Sequence, residues 1–335
     1  PFQSVSLPGN NIILSSPSVL IVFAALINLA EEMALGEKIS VFTPLEITCI
    51  FSLKFNISKL VIGMTVVAFA TSLPELIVSI NAALNDSPAI AINNVIGSNI
   101  ANIALVLSII SILSYIEVDK NFYKKDWPIM FVFSIFLVIF CVTNNALDRY
   151  EGLILVVLLL LFIYYSLNNS DAEFSDSDLD DKLVSTSNTK IIIWLLISSI
   201  TLYFGADFLV NGAVDFAKQM NISEAVISVS IVAIGTSIPE LAASLIAIAK
   251  REKGISIGNL IGSNIFNIGS VLGITAIIKP IQIANEIIER DLLWMLFFAL
   301  LLLLIAIVPK RNSISKFKGL LMLFTYFLFI IYAFI

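Results

Sequence analysis

The sequence contains no histidine, two cysteines and only 44 charged residues, 19 basic and 25 acidic, in a chain of 335. Each shortage removes a class of chemistry. Without histidine there is no imidazole for haem ligation, for an HExxH zinc site, for a Ser-His-Asp triad or for a proton relay. Cys49 and Cys141 are too few for an iron-sulfur cluster or a cysteine-rich zinc site, and two buried thiols acting as small apolar groups are expected. A charged fraction of 13% falls well below the roughly 25% typical of soluble domains, too little to cover their surfaces. The net charge of −6 argues against a nucleic-acid partner. No basic n-region precedes an apolar core, so no signal peptide is expected.

What the chain has in excess is apolar residues, 59% of the total. Long apolar runs predict spans near 11–30, 59–84, 89–114, 127–143, 151–167, 190–213, 222–249, 255–278, 291–308 and 317–335. At roughly 20 residues per span the apolar content suits about ten helices. Residues 168–189 carry Asp171, Glu173, Asp176, Asp178, Asp180 and Asp181 among serines and read as a flexible acidic linker. An EF-hand there would need glycine at Asp181 and glutamate at Ser187, so a solvated linker is the better reading. The linker separates residues 1–167, whose first 53 are atypical, from residues 190–335.

Orientation follows from the basic residues. Fourteen of them fall in the odd-numbered loops and four in the even-numbered ones, with Lys38 in neither. The positive-inside rule then puts both termini outside the cytoplasm and the acidic linker inside, in a multi-pass protein of the cell membrane.

The two halves repeat. Ala68-Phe69-Ala70-Thr71-Ser72-Leu73-Pro74-Glu75-Leu76 returns as Ala233-Ile234-Gly235-Thr236-Ser237-Ile238-Pro239-Glu240-Leu241, an offset of 165. Gly97-Ser98-Asn99-Ile100-Ala101-Asn102 returns at the same offset as Gly262-Ser263-Asn264-Ile265-Phe266-Asn267, and Asn56-Ile57-Ser58 as Asn221-Ile222-Ser223. Five spans per half is an odd number, so the second copy enters the bilayer in the opposite sense. The expected fold is an all-α polytopic membrane protein, two inverted five-helix repeats with discontinuous ion-binding helices. In such transporters the substrate site lies at the midplane where the repeats meet.

Glu75 and Glu240 fall inside apolar runs, where an ionised carboxylate costs several kcal/mol unless it meets a cation or water. Pro74 and Pro239 have no N–H for the carbonyls of Ala70 and Gly235, which predicts a helix break just before each glutamate. Thr71, Ser72, Thr236 and Ser237 add hydroxyls beside the breaks. Ser98 with Asn102, and Ser263 with Asn267, share helix faces at i,i+4. An all-oxygen set without sulfur or imidazole suits calcium and sodium. Two carboxylates balance one divalent ion or hold monovalent ions in its place. GxxxG spacings at Gly258 with Gly262 and Gly269 with Gly273 predict close helix packing. Asp207, near a helix end, reads as a cap or pairing residue.

The paired TSxPE and GSNxxN signatures in the two halves resemble the alpha repeats of the sodium/calcium exchanger family, of prokaryotic type, within the cation/calcium antiporters. The resemblance implies that Glu75 and Glu240 ligate calcium with backbone oxygen at Thr71 and Thr236. It places sodium at Ser72, Ser98, Ser237, Ser263, the carbonyls of Ala68 and Ala233, and both glutamates. It further implies alternating access, with the first and sixth helices sliding against an ion-holding core. Three positions depart from the family pattern. Ala70 replaces a glycine that Gly235 retains. Asn267 stands where prokaryotic and potassium-dependent relatives often have aspartate. The segment 40–47 does not match the sixth-helix motif Gly205 to Gly212 at its offset.

The expected function is exchange of sodium for calcium. A proton/calcium or potassium-dependent exchanger is the nearest alternative and a cation channel a remote one; an enzyme is not expected. No cofactor, no nucleic acid and no obligatory protein partner is expected; the transported calcium and sodium ions and the lipid bilayer are the partners.

Overall fold

The computed structural model describes residues 51–85, 89–118, 120–170, 237–308 and 312–334, with isolated positions at 189, 193, 197, 200, 204 and 235. The expected span at 11–30, all but four positions of the one at 190–213, half of the one at 222–249, the acidic residues from Asp171 to Asp181, Asp207 and Cys49 lie outside the described residues.

Helices α1 (Lys59–Thr71) and α2 (Leu73–Leu84) are together long and apolar enough for a broken span or a re-entrant loop and meet at a bend of 41°. Helices α3 (Ile90–Leu113), α4 (Phe122–Asn144), α5 (Arg149–Asn168), α7 (Lys253–Ile278) and α8 (Ile287–Ile307) are each long and apolar enough to cross a membrane. The shorter α6 (Ile238–Ala249) precedes α7, and α9 (Lys316–Phe334) is the last described helix. Helices α2 and α6, the starts of α4 and α8, and the ends of α3 and α7 all correspond at the offset of 165 seen in the sequence.

Lipid and core separate by helix. Most of α3 and α7 is buried, whereas α4, α5 and α8 bury only a minority of their length. On α5 the exposed residues Leu153, Val157, Leu160, Leu161 and Tyr164 form an apolar outer face, and Phe317, Leu320, Phe324, Phe327 and Ile331 do the same on α9. A soluble protein would make those faces polar, so this is a multi-pass membrane protein. The core is centred on α3 and α7, with Ile92, Ile100, Ile110, Ile265 and Phe298 almost fully enclosed.

Glycine sets the helix spacing. A Cβ on Gly258 would overlap the carbonyl of Leu60, and one on Gly262 would overlap the Met64 carbonyl and lie 2.7 Å from the Ala68 Cβ. These two residues are therefore the notch in α7 that receives α1, while Gly269 and Gly273 receive α5. Gly152 of α5 approaches the Gly273 carbonyl, and Gly319 of α9 approaches the Ser108 carbonyl of α3, so each half docks a peripheral helix on the other half's central one.

Two differences from the sequence expectation have physical causes. Four two-residue strands interrupt the expected all-α pattern: β1 (Ile116–Glu117) pairs antiparallel with β4 (Ser313–Ile314), and β2 (Ala146–Leu147) with β3 (Ile281–Gln282). Each pair joins the two halves where loop backbone leaves the helices and needs partners for its N–H and C=O groups. Helices α4 and α8 also begin before their apolar runs, at Phe122 and Ile287, because a π-helical turn absorbs Lys124, Lys125 and Asp126 in one and Glu289, Arg290 and Asp291 in the other. Asn145 ends α4 in the left-handed region at φ 49°, and Asp148 with Glu151 closes a capping box at the start of α5 through two 2.9 Å hydrogen bonds.

Candidate functional site

Proline punctuates the chain where the sequence predicts. Pro74 and Pro239 sit in the first turns of α2 and α6, where a missing N–H costs nothing. Ser72 and Ser237 carry the turn before each, with φ, ψ near −87°, 0° and −93°, 6°. Glu75 and Glu240 thus stand in the first turn of a helix, 1% and 0% exposed. Helices α2 and α6 pack against α3 and α7, whose paths carry π-helical segments at Asn102–Val106 and Asn267–Leu272. Such segments widen a helix locally and often occur at functional sites.

The side chains converge across the two halves. Glu75 and Glu240 are close enough to repel one another electrostatically. The Thr71 hydroxyl lies 3.1 Å from the Ser263 hydroxyl, 3.1 Å from Asn259 Oδ1 and 3.3 Å from the Ala68 carbonyl. Its single proton serves only one acceptor at a time. Glu240 is a neighbour of the Thr71 and Ser263 hydroxyls. Asn259 holds this side of the site together, donating from Nδ2 to the Glu240 carbonyl at 3.4 Å and to the Ser244 hydroxyl at 3.2 Å. In the other half Asn94 donates to Ser79 at 3.5 Å.

The remaining buried oxygens are acceptors in search of a partner. Among the described residues, all four carboxylate oxygens of Glu75 and Glu240, the amide oxygens of Asn102 and Asn267, and the hydroxyls of Ser72 and Ser237 make no hydrogen bond. Buried polar groups are nearly always paired, and two buried carboxylates without a cation are more costly still. These atoms occur in pairs at the offset of 165, as expected of one site built twice. Their chemistry fits a hard cation, which takes six to eight oxygens at roughly 2.3–2.6 Å in the case of calcium.

Of the sequence-derived candidates, Thr71 and Ser263 touch directly, and Glu75 lies within electrostatic reach of Glu240. Ser98 is buried one turn before Asn102 on α3. Ala68 is buried against the Gly262 notch, with its carbonyl accepting from the Ser72 N–H at 3.0 Å as well as from Thr71. Thr236 and Ala233 lie outside the described residues. Sequence reasoning passed over Asn94, Asn259, Ser79, Ser244, Asn99 and Asn264. All six are related in pairs by the same offset, which was the available signal.

The family described as Sodium/calcium exchanger protein matches residues 12–168 and 190–335. The chain belongs to the sodium/calcium exchanger family. Within it, the chain is 36% identical over 258 residues to the inner membrane protein YrbG of Escherichia coli, covering 74% of this chain and 79% of that one. It is 29% identical over 320 residues to the sodium/calcium exchanger MaX1 of Methanosarcina acetivorans, covering 84% and 90%. A solved structure of the sodium-calcium exchanger NCX_Mj superposes with a TM-score of 0.72 at 33% identity, covering 93% of this chain and 97% of that one. The family is one of membrane transporters rather than enzymes. Its match begins at residue 12, inside the segment that reads as atypical.

Proposed function

We propose that this member of the family is a secondary active antiporter that exchanges sodium for calcium by alternating access, with one site serving both ions in turn. The observation that carries the reading is the symmetric set of buried, unsatisfied oxygens around Glu75 and Glu240. Their two negative charges neutralise one calcium ion, and the same charges accept sodium when calcium is absent. Competition of this kind is the minimum requirement for coupled exchange. The ligands are Glu75, Glu240, Ser72, Ser237, Ser98, Ser263, Asn102 and Asn267, with Thr71, Thr236 and the carbonyls of Ala68 and Ala233. The Ala68 carbonyl becomes available to an ion when the Thr71 hydroxyl turns to Asn259 or Ser263.

The architecture that accompanies this function is ten transmembrane helices in two inverted five-helix repeats, 1–167 and 190–335, with both termini outside and the linker 168–189 in the cytoplasm. The offset of 165 that relates helices and buried acceptors across the halves supports it. The likeness to NCX_Mj and MaX1, both named as sodium/calcium exchangers, supports the choice of ions.

Calcium uptake into sodium-loaded proteoliposomes tests the proposal. The expected result is uptake that requires an outward sodium gradient and neither potassium nor a pH gradient. Uptake that ignores sodium and follows protons would contradict it, a potassium requirement would make it a potassium-dependent exchanger, and single-channel currents would make it a channel.

A further inference from the structure

We infer that Asn99 and Asn264 are positioning residues, each fixing the direction of an ion-ligating amide contributed by the opposite half of the protein. The inference rests on the ion site proposed above. A side-chain amide presents an acceptor at one end and two donors at the other, with almost the same shape, so turning it over converts a cation ligand into a group that repels the cation. Something must therefore hold Asn102 and Asn267 with Oδ1 inward.

The hydrogen bonds supply it reciprocally. Asn102 on α3 donates from Nδ2 to Asn264 Oδ1 on α7 at 3.3 Å, and Asn267 on α7 donates from Nδ2 to Asn99 Oδ1 on α3 at 3.1 Å. With its nitrogen committed, each ligand amide leaves Oδ1 without a partner among the described residues. The positioning amides are themselves anchored. Asn99 donates to the Asn264 backbone carbonyl at 3.3 Å, and Asn264 donates to Met130 Sδ at 3.6 Å, which leaves each Oδ1 facing the amide it orients. All four asparagines are buried, so no water competes for these bonds. Each half thereby holds one ligand of the other in register, and a shift of α3 against α7 disturbs both ligands together.

Asn264→Leu removes the acceptor while keeping the same branched heavy-atom skeleton. Its expected effect on the full-length protein is a calcium Kd raised about tenfold or more, the usual result of losing a partner that orients a metal ligand. In an Asn102→Ala background the same substitution should change Kd little, because the ligand it directs is already gone. A purely structural role would give the same penalty in both backgrounds, and that result, or a Kd within about twofold of wild type, overturns the inference. Asn264→Ser, whose hydroxyl is too short to reach Asn102, applies the same criteria if the leucine variant does not fold. Wild-type protein that shows no calcium binding overturns the proposed function and this inference with it, whereas normal wild-type binding with an unaffected Asn264→Leu overturns this inference alone.

Discussion

Glu75 and Glu240 are two negative charges in a chain that places almost none of its charge within the membrane, and each is enclosed to 1% exposure or less. Replacing either by glutamine leaves a bound divalent ion with one uncompensated charge. Breaking a buried ion pair costs about 3–5 kcal/mol, so Glu240→Gln should weaken calcium binding by about 100-fold or more and abolish calcium transport in the proteoliposome assay. Near-normal flux would place the site elsewhere. Thermal melting gives a second reading of the same chemistry. Wild-type protein should melt lower after chelation, because calcium binds only the folded state. Glu75→Gln, which relieves the repulsion with Glu240, should melt higher than wild type under chelation and gain little when calcium is restored. At this scale the sequence was most legible where a residue carries its own anomaly, as a carboxylate in an apolar run does. Asn99 and Asn264 carry none. Their importance lies in contacts between helices of different halves, which periodicity within one helix does not reveal.

Helix α1 reaches the site only because α7 lacks side chains where the two cross. Gly258→Ala or Gly262→Ala puts a methyl into the backbone of Leu60 or Met64, and overpacking of this kind typically costs about 1–3 kcal/mol. Both variants should melt lower in detergent and transport poorly, since Ala68 and Thr71 ride on the displaced helix. Gly254→Ala on the same helix meets nothing closer than 3.6 Å and should behave as wild type. A melting temperature unchanged in Gly262→Ala would contradict the notch. The glycine spacing and the proline breaks were readable because they are local rules. The strands β1 to β4 were not, because each is two residues long and owes its existence to a partner loop in the other half. The early starts of α4 and α8 were hidden for a related reason: charged residues at the membrane edge continue the helix without lengthening the apolar run.

The whole molecule is organised by the offset of 165, which recurs in helix boundaries, in the strands β1 and β3, and in the buried acceptors. The proposed inverted topology has a direct check. In a background without Cys49 and Cys141, an impermeant maleimide should label Ser4→Cys in intact cells and Ser177→Cys only after permeabilisation; the reverse pattern would refute the orientation. The repeat was the most legible feature of the sequence because three motif pairs share one spacing without insertion. How the halves meet was not legible, since it depends on side chains such as Thr71 and Ser263 that touch only in the fold. The central claim is that Glu75 and Glu240 form one site for which calcium and sodium compete. Equilibrium calcium binding to the purified protein, titrated with sodium, tests it most directly. Calcium should bind wild type, be displaced by sodium, and fail to bind Glu75→Gln or Glu240→Gln at comparable concentration; calcium binding that sodium leaves unchanged, or that survives in both variants, would contradict it.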